Sequence, residues 1–166
     1  MMRIDVVCCQ TASGVYAVPQ SEVIFAADAR RIVHLRLGIP WLVGVLPGAL
    51  RVVLVLDLER VLDPALPAPD ASLRGAHTRV LHLLGPVPLA LVCAGYVPER
   101  GCDFRPAGRS LRGLRHLLGL AYPHAGAPLP VIDVAGALTA EHRAALVAAV
   151  HASAALQGAA AVDAAT

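Results

Sequence analysis

Two aspartates stand out as groups able to do chemistry: Asp57 in VLVLDLERVL at 53–62 and Asp133 in PLPVIDVAGAL at 128–138. A pair of carboxylates facing one cleft performs general acid–base catalysis. Here each aspartate closes an apolar run and precedes a short helix-like turn, where an Asp side chain accepts from the turn's free N–H groups. Both are read as structural strand-end caps. The seven histidines, His34, His77, His82, His116, His124, His142 and His151, form no HExxH and no other close ligand pair, so no metal site is expected. Ser110 lies in GRSLRG, which lacks the spacing and the preceding strand of a nucleophile elbow. The glycine patterns of a P-loop or a dinucleotide site do not occur. The sequence predicts no catalytic, cofactor-binding or metal-binding residues, and a chain that is not an enzyme.

Cys8, Cys9, Cys93 and Cys102 make no CxxC pair and no zinc spacing. Cys8 and Cys9 on one strand point to opposite faces. All four are read as buried thiols of a protein in a reducing cytoplasm. Hydrophobic residues make up 57% of the chain and charged ones 16%, so a folded core is expected and a disordered tail is not. The 14 basic residues are all arginines, and only Arg105, Arg109, Arg112 and Arg115 cluster. With 4% aromatic residues, the dense basic stripe with interleaved rings of a nucleic-acid binder is missing. The first residues lack the basic-then-apolar pattern of a secretory leader. Val80 to Val97 is long and apolar, but Gly85, Pro86 and Pro88 divide it into strand-sized pieces, so no membrane insertion is expected.

The elements that position these residues are organised around Trp41 to Leu62. Leu42 to Leu46 and Arg51 to Leu58 read as strands on either side of a Pro47-Gly48 turn. The second strand is apolar throughout, the pattern of a strand buried on both faces. Before it come strands at Ile4 to Gln10 and Val15 to Pro19 around a Ser13-Gly14 turn. Gln20 to Phe25 reads as a helical turn or a bent strand. Ala26 to Pro40 reads as a loop with a short strand near Ile32 to Leu37. A proline-rich connector covers about 63–77. Strands at Arg79 to Leu84 and Val87 to Ala94 follow, then a loop over Pro98 to Gly108. Leu111 to Leu120 has both strand and helix character. Leu129 to Val134 is the last strand. A helix over 139–158 has Thr139 as N-cap and Glu141 in its first turn. Leu146, Val147, Val150 and Ala154 share one face and Gly158 stops the helix, leaving a frayed tail at 159–166.

The two halves repeat one order of elements. VLVLDLERVL aligns with PLPVIDVAGAL, and VYAVP at 15–19 aligns loosely with PLALV at 88–92. A twofold repeat of this length implies two similar barrels sharing an apolar seam. The expected fold is all-β with minor helix: two five-stranded β-barrel subdomains, the first at about 1–62 and the second at about 78–138, plus the C-terminal helix.

The chain resembles the CheW-like family of bacterial chemosensory adaptors over about residues 4–138. The resemblance rests on GVYAVPQSEV at 14–23, PWLVGVLPGALRVVLVLDLERVL at 40–62, RVLHLLGPVPLALVCAGYV at 79–97 and LPVIDVAGAL at 129–138. It implies the double barrel of a 1–138 domain, and a non-catalytic cytoplasmic adaptor. It also implies a CheA-type histidine kinase and the tips of methyl-accepting receptors as partners, in chemotaxis or surface motility. The candidate partner-binding positions are Trp41, Leu42, Val43, Val45, Ala49 and Arg51; Trp41 reads first as a core or seam residue, and Leu42 to Val45 read either as the seam between the barrels or as a docking surface for a partner helix. Where the family reads Asn-Leu-Arg-Gly, this chain has Pro47-Gly48-Ala49-Leu50, so the coupling arginine is replaced by Ala49 and the nearest basic residue is Arg51. That departure leaves a second expectation open: a repurposed CheW-like interaction or oligomerising module that no longer couples receptor to kinase.

Overall fold

Side-chain alternation along two strands decides where the cores lie. In β1 (Met2–Gln10), Val6 and Cys8 point one way and Val7 and Cys9 the other, and all four are buried. In β6 (Val52–Leu56), Leu54 and Leu56 face one core and Val55 another. Each strand is thus covered on both faces, which explains the unbroken apolar runs. The computed structural model describes residues 2–35, 37–47, 52–63, 65–66, 79–85, 87–108 and 116–163, with side chains described as far as His151.

The other strands are β2 (Val15–Pro19), β3 (Val23–Asp28), β4 (Val33–His34), β5 (Leu42–Pro47), β7 (Arg79–Leu83), β8 (Leu89–Cys93), β9 (Gly95–Pro106), β10 (Leu117–Tyr122) and β11 (Leu129–Ile132). Among the described residues, three α-helices, α1 (Leu58–Leu62), α2 (Val134–Ala137) and α3 (Ala140–Asp163), accompany the strands of a mainly β structure. A closed barrel runs β1-β2-β11-β10-β9, and a six-stranded sheet runs β3-β7-β8-β6-β5-β4.

Both units share one pairing plan. In the barrel, β2 pairs antiparallel with β1 and parallel with β11. In the sheet, β8 pairs antiparallel with β7 and parallel with β6. The hairpins β1–β2 and β7–β8 therefore correspond, as do β6–α1 and β11–α2. The expected division into a barrel at 1–62 and a barrel at 78–138 needs correction. The first hairpin joins the strands of the second half, and β7–β8 joins β3 to β6. Equivalent hairpins offer equivalent edges, so a repeat cannot say by itself which half each hairpin completes. Among the described residues one unit closes, and in the other β3 and the short β4 are the sheet's edges. Most of the 63–77 connector lies outside the described residues.

Three further differences have local causes. Residues 23–28 are strand β3, held by pairing with β7. The segment 98–106 is the body of β9. Its pairing with β1 runs from Ile4↔Cys102 to Val6↔Glu99, so β9 carries an extra residue there. Gly101 takes φ +62 at that bulge, and its N–H donates to Asp5 Oδ1 at 2.8 Å. Pro98 is tolerated because β10 pairs only with Asp103 to Pro106, leaving that side of Pro98 without a strand partner. Helix α3 continues past Gly158 to Asp163; one glycine in an alanine-rich helix costs only about 1 kcal/mol. Of Leu111 to Leu120, residues 117–120 are strand, and 111–115 lie outside the described residues.

The main core lies between the two units. It joins Val7, Cys9 and Ile132 of the barrel to Leu54, Leu56, Leu81 and Leu91 of the sheet. A fully buried leucine contributes roughly 1.5–3 kcal/mol relative to an exposed one, so this seam binds the units firmly. A smaller core fills the barrel interior with Val6, Cys8, Ala17, Cys102, Phe104 and Val131.

Candidate partner-docking surface

Of the expected partner-binding residues, Leu42, Val43 and Val45 lie on β5 and Trp41 immediately precedes it, and a β-bulge decides the directions of the strand's side chains. Leu42 pairs with Leu56 but Gly44 with Val55, so Val43 is the extra residue. The shift sends Leu42 and Val45 into the main core and turns Val43 and Leu46 toward the core on the other face. Gly44 belongs here for a packing reason. A Cβ at this position would collide with the backbone carbonyl of Val33 in the neighbouring β4.

Most of this stretch lies inside the core. Trp41, Leu42 and Val45 are only 7%, 5% and 7% exposed, and Val43 is half-buried. Ala49 and Arg51 lie outside the described residues. Helix α3 supplies the cover. Leu146 and Ala149 enter the same core as Trp41, and His142, Ala145 and Val150 are half-buried. The Trp41 ring meets that of His142 edge-on, with centroids 4.8 Å apart and planes at 65°. Val147, expected on the buried face, is 53% exposed. The true stripe is 142, 145, 146, 149 and 150, the helical spacing of a narrow apolar face. Thr139 starts the helix: its Oγ1 accepts from the His142 N–H at 3.2 Å, and His142 Nδ1 accepts from the Thr139 N–H at 3.3 Å.

Asp57 and Asp133 occupy matching places at the two strand ends. Asp57 Oδ1 accepts from the Glu59 N–H at 3.1 Å, and Asp57 Oδ2 accepts from Arg60 Nε at 2.9 Å in a buried ion pair. Asp133 Oδ1 accepts from the Gly136 N–H at 2.8 Å. Each carboxylate is engaged in starting a helical turn, which is not the arrangement of a free acid–base pair. Glu59 ties the units together by accepting from the Ser13 N–H at 2.6 Å and from the Ser13 hydroxyl in the β1–β2 turn. Burial pushes the Glu59 carboxyl up, but hydrogen bonds from Ser13, Thr11 and the nearby backbone pull it below its ordinary value.

The four cysteines are all buried and free. Burial, with help from Glu99 and Cys102, pushes the Cys8 thiol up to about 11. A hydrogen bond to Cys93, followed by burial, holds Cys9 well above the ordinary thiol range. Both stay protonated, unlike a nucleophilic cysteine. Among the described residues, no three metal-ligating side chains gather, and no helix is long and apolar enough to cross a membrane.

One feature of the surface escaped the sequence reading. A cavity of about 250 Å³ opens beside α3, between it and the β7–β8 hairpin. Leu83, Leu89, Val134, Leu138 and Leu146 line it, with Glu22 and Arg143 also in its wall. Burial, and then the neighbouring Asp133, raise the Glu22 carboxyl above its usual value. Leu84 and Val147 stay exposed at this cavity, at 68% and 53%. The lining comes from distant parts of the chain, so no local pattern announces it; the one legible signal is the Thr139-x-x-His142 helix start.

No protein-family model matches the sequence, and no curated protein matches it. Solved structures do share the fold. The crystal structure of the scaffolding protein TtCheW from Thermoanaerobacter tengcongensis aligns with a TM-score of 0.66 over 85% of this chain and 96% of that one. At 13% sequence identity, the likeness shows that this chain has the CheW fold.

Proposed function

We propose that the protein is a non-enzymatic adaptor that couples a CheA-type histidine kinase to methyl-accepting receptors in the cytoplasm, in chemotaxis or surface motility. One observation carries this reading: a two-unit architecture aligning with nearly the full length of the scaffolding protein TtCheW. The engagement of Asp57 and Asp133 in capping supports a scaffold over an enzyme. The mechanism is geometric. The shared core and the Glu59–Ser13 tie hold the units in fixed relation, so a partner on one unit raises the effective concentration of a partner for the other.

The test is co-purification of the tagged full chain from its native lysate. Recovery of a CheA-type kinase or a methyl-accepting receptor supports the reading; recovery of neither overturns it. The burial of Trp41, Leu42 and Val45 favours one second reading, a repurposed CheW-like module whose partners do not include that kinase. A partner of another class in the same experiment identifies it.

A further inference from the structure

We propose that the cavity beside α3 is a binding site for a small amphiphilic amine, with its apolar body against the leucine wall and its ammonium group at Glu22. The cavity holds about 250 Å³, and an apolar cavity of about 150 Å³ accepts a benzene ring. There is room for one aromatic ring, or a short aliphatic chain, with a polar arm. The wall is built from three packed segments: Leu83 and Leu89 of the β7–β8 hairpin, Val134 and Leu138 of α2 and the residue after it, and Leu146 of α3. All five side chains are at most 9% exposed, so the wall is fixed before a ligand arrives. A preformed, mostly apolar cavity with few polar groups is the ordinary form of a small-ligand site.

The polar groups choose the charge of the ligand. Glu22 ends the turn Gln20–Glu22, and the pairing of β3 with β7 from Val23↔Leu83 onward holds it at the cavity. Its backbone carbonyl accepts from the Leu84 N–H at 2.7 Å. Its half-buried side chain has no hydrogen bond and no ion pair among the described residues. Asp133 places a second negative charge nearby and, with burial, already disfavours the Glu22 carboxylate. Arg143 is the basic residue of the wall, but it is exposed and its Nη2 donates to the Ala135 carbonyl at 3.1 Å. The cavity therefore offers an unpaired, partly desolvated carboxylate beside an apolar wall. A ligand ammonium would pair with it and offset both the burial and the repulsion from Asp133. A ligand carboxylate would meet two like charges.

The inference goes beyond the adaptor reading and does not depend on it, because it concerns a small ligand and no protein partner. Three probes of similar shape separate its parts: phenethylammonium, phenethyl alcohol and hydrocinnamate. Each is titrated into the full chain while the methyl resonances of Leu83, Leu89, Leu138 and Leu146 are followed by NMR. The proposal predicts saturable shifts at these methyls, with the ammonium bound about tenfold tighter than the alcohol, as a charge-assisted hydrogen bond implies, and the carboxylate weakest. Glu22→Gln, at a half-buried position, should bring the affinity for the ammonium down to that for the alcohol. Shifts that do not saturate at millimolar probe overturn the proposal. So does equal binding of ammonium and alcohol, or a preference for the ammonium that persists in Glu22→Gln. Tighter binding of the carboxylate also overturns it and assigns the polar contact to Arg143.

Discussion

The backbone N–H of Asp57 donates to the carbonyl of Trp41 at 2.9 Å, and the N–H of Asp133 donates to that of His116 at 2.8 Å. Each bond extends a strand pair by one rung, β5–β6 in one unit and β10–β11 in the other, immediately before the aspartate starts its helix. The shared geometry carries different loads. Asp57 is buried beside Arg60, whereas Asp133 is half-buried.

That difference sets the cost of removing each carboxylate. Asp57→Ala removes a cap and takes a charge from beside the buried guanidinium of Arg60, an expected loss of about 3 kcal/mol or more. Asp133→Ala removes a cap alone and should cost about 1 kcal/mol. Urea unfolding of the two variants checks the ranking, and equal midpoints would contradict it.

Much of this organisation was legible in the sequence, for physical reasons. The apolar run 52–56 announced a strand covered on both sides, and Asp57 and Asp133 marked the repeat that relates β6–α1 to β11–α2. What stayed hidden was non-local. The exchange of hairpins between halves leaves each local pattern unchanged. The bulge at Val43 breaks the period-two rule, placing Leu42 and Val45 on one face when alternation alone would separate them. The burial of Trp41 depends on a helix a hundred residues away in the chain, and the alanine-dominated face of that helix gave no strong sign of where it docks.

Gly44 should be intolerant of any side chain. Gly44→Ala drives a methyl group into the Val33 carbonyl and the Ile32 side chain, with an expected cost of about 1–3 kcal/mol as the β4–β5 pair moves apart. Gly14→Ala enters open space and should stay within about 0.5 kcal/mol of the parent. Thermal unfolding of both variants tests the contrast.

Glutamate substitutions should separate core from surface. Val45→Glu buries a carboxylate in an apolar core and should destabilise by several kcal/mol, on the order of 3 or more. Leu84→Glu, at a side chain 68% exposed, should change stability by about 0.5 kcal/mol or less. Chemical denaturation measures both, and a stable Val45→Glu variant would show that Val45 lies on an open surface.

Glu59 should leave a mark on acid stability. Its folded value is held below the ordinary one by the Ser13 and Thr11 hydrogen bonds that outweigh burial. The stabilisation is therefore present above the ordinary glutamate value of about 4.3 and lost as pH falls through the folded value. Glu59→Gln should be less stable than the parent at neutral pH, with the gap closing in acid. A gap independent of pH, followed by thermal unfolding at stepped pH, would rule out a role for the carboxylate charge.

The most direct measurement of adaptor function uses purified components. The full chain is mixed with the CheA-type kinase and a receptor tip fragment from the same genome, and the mixture is resolved by size-exclusion chromatography with light scattering. Adaptor function predicts a complex with the kinase and a larger one when the receptor fragment is added. Separate elution of all three at micromolar concentration would contradict it.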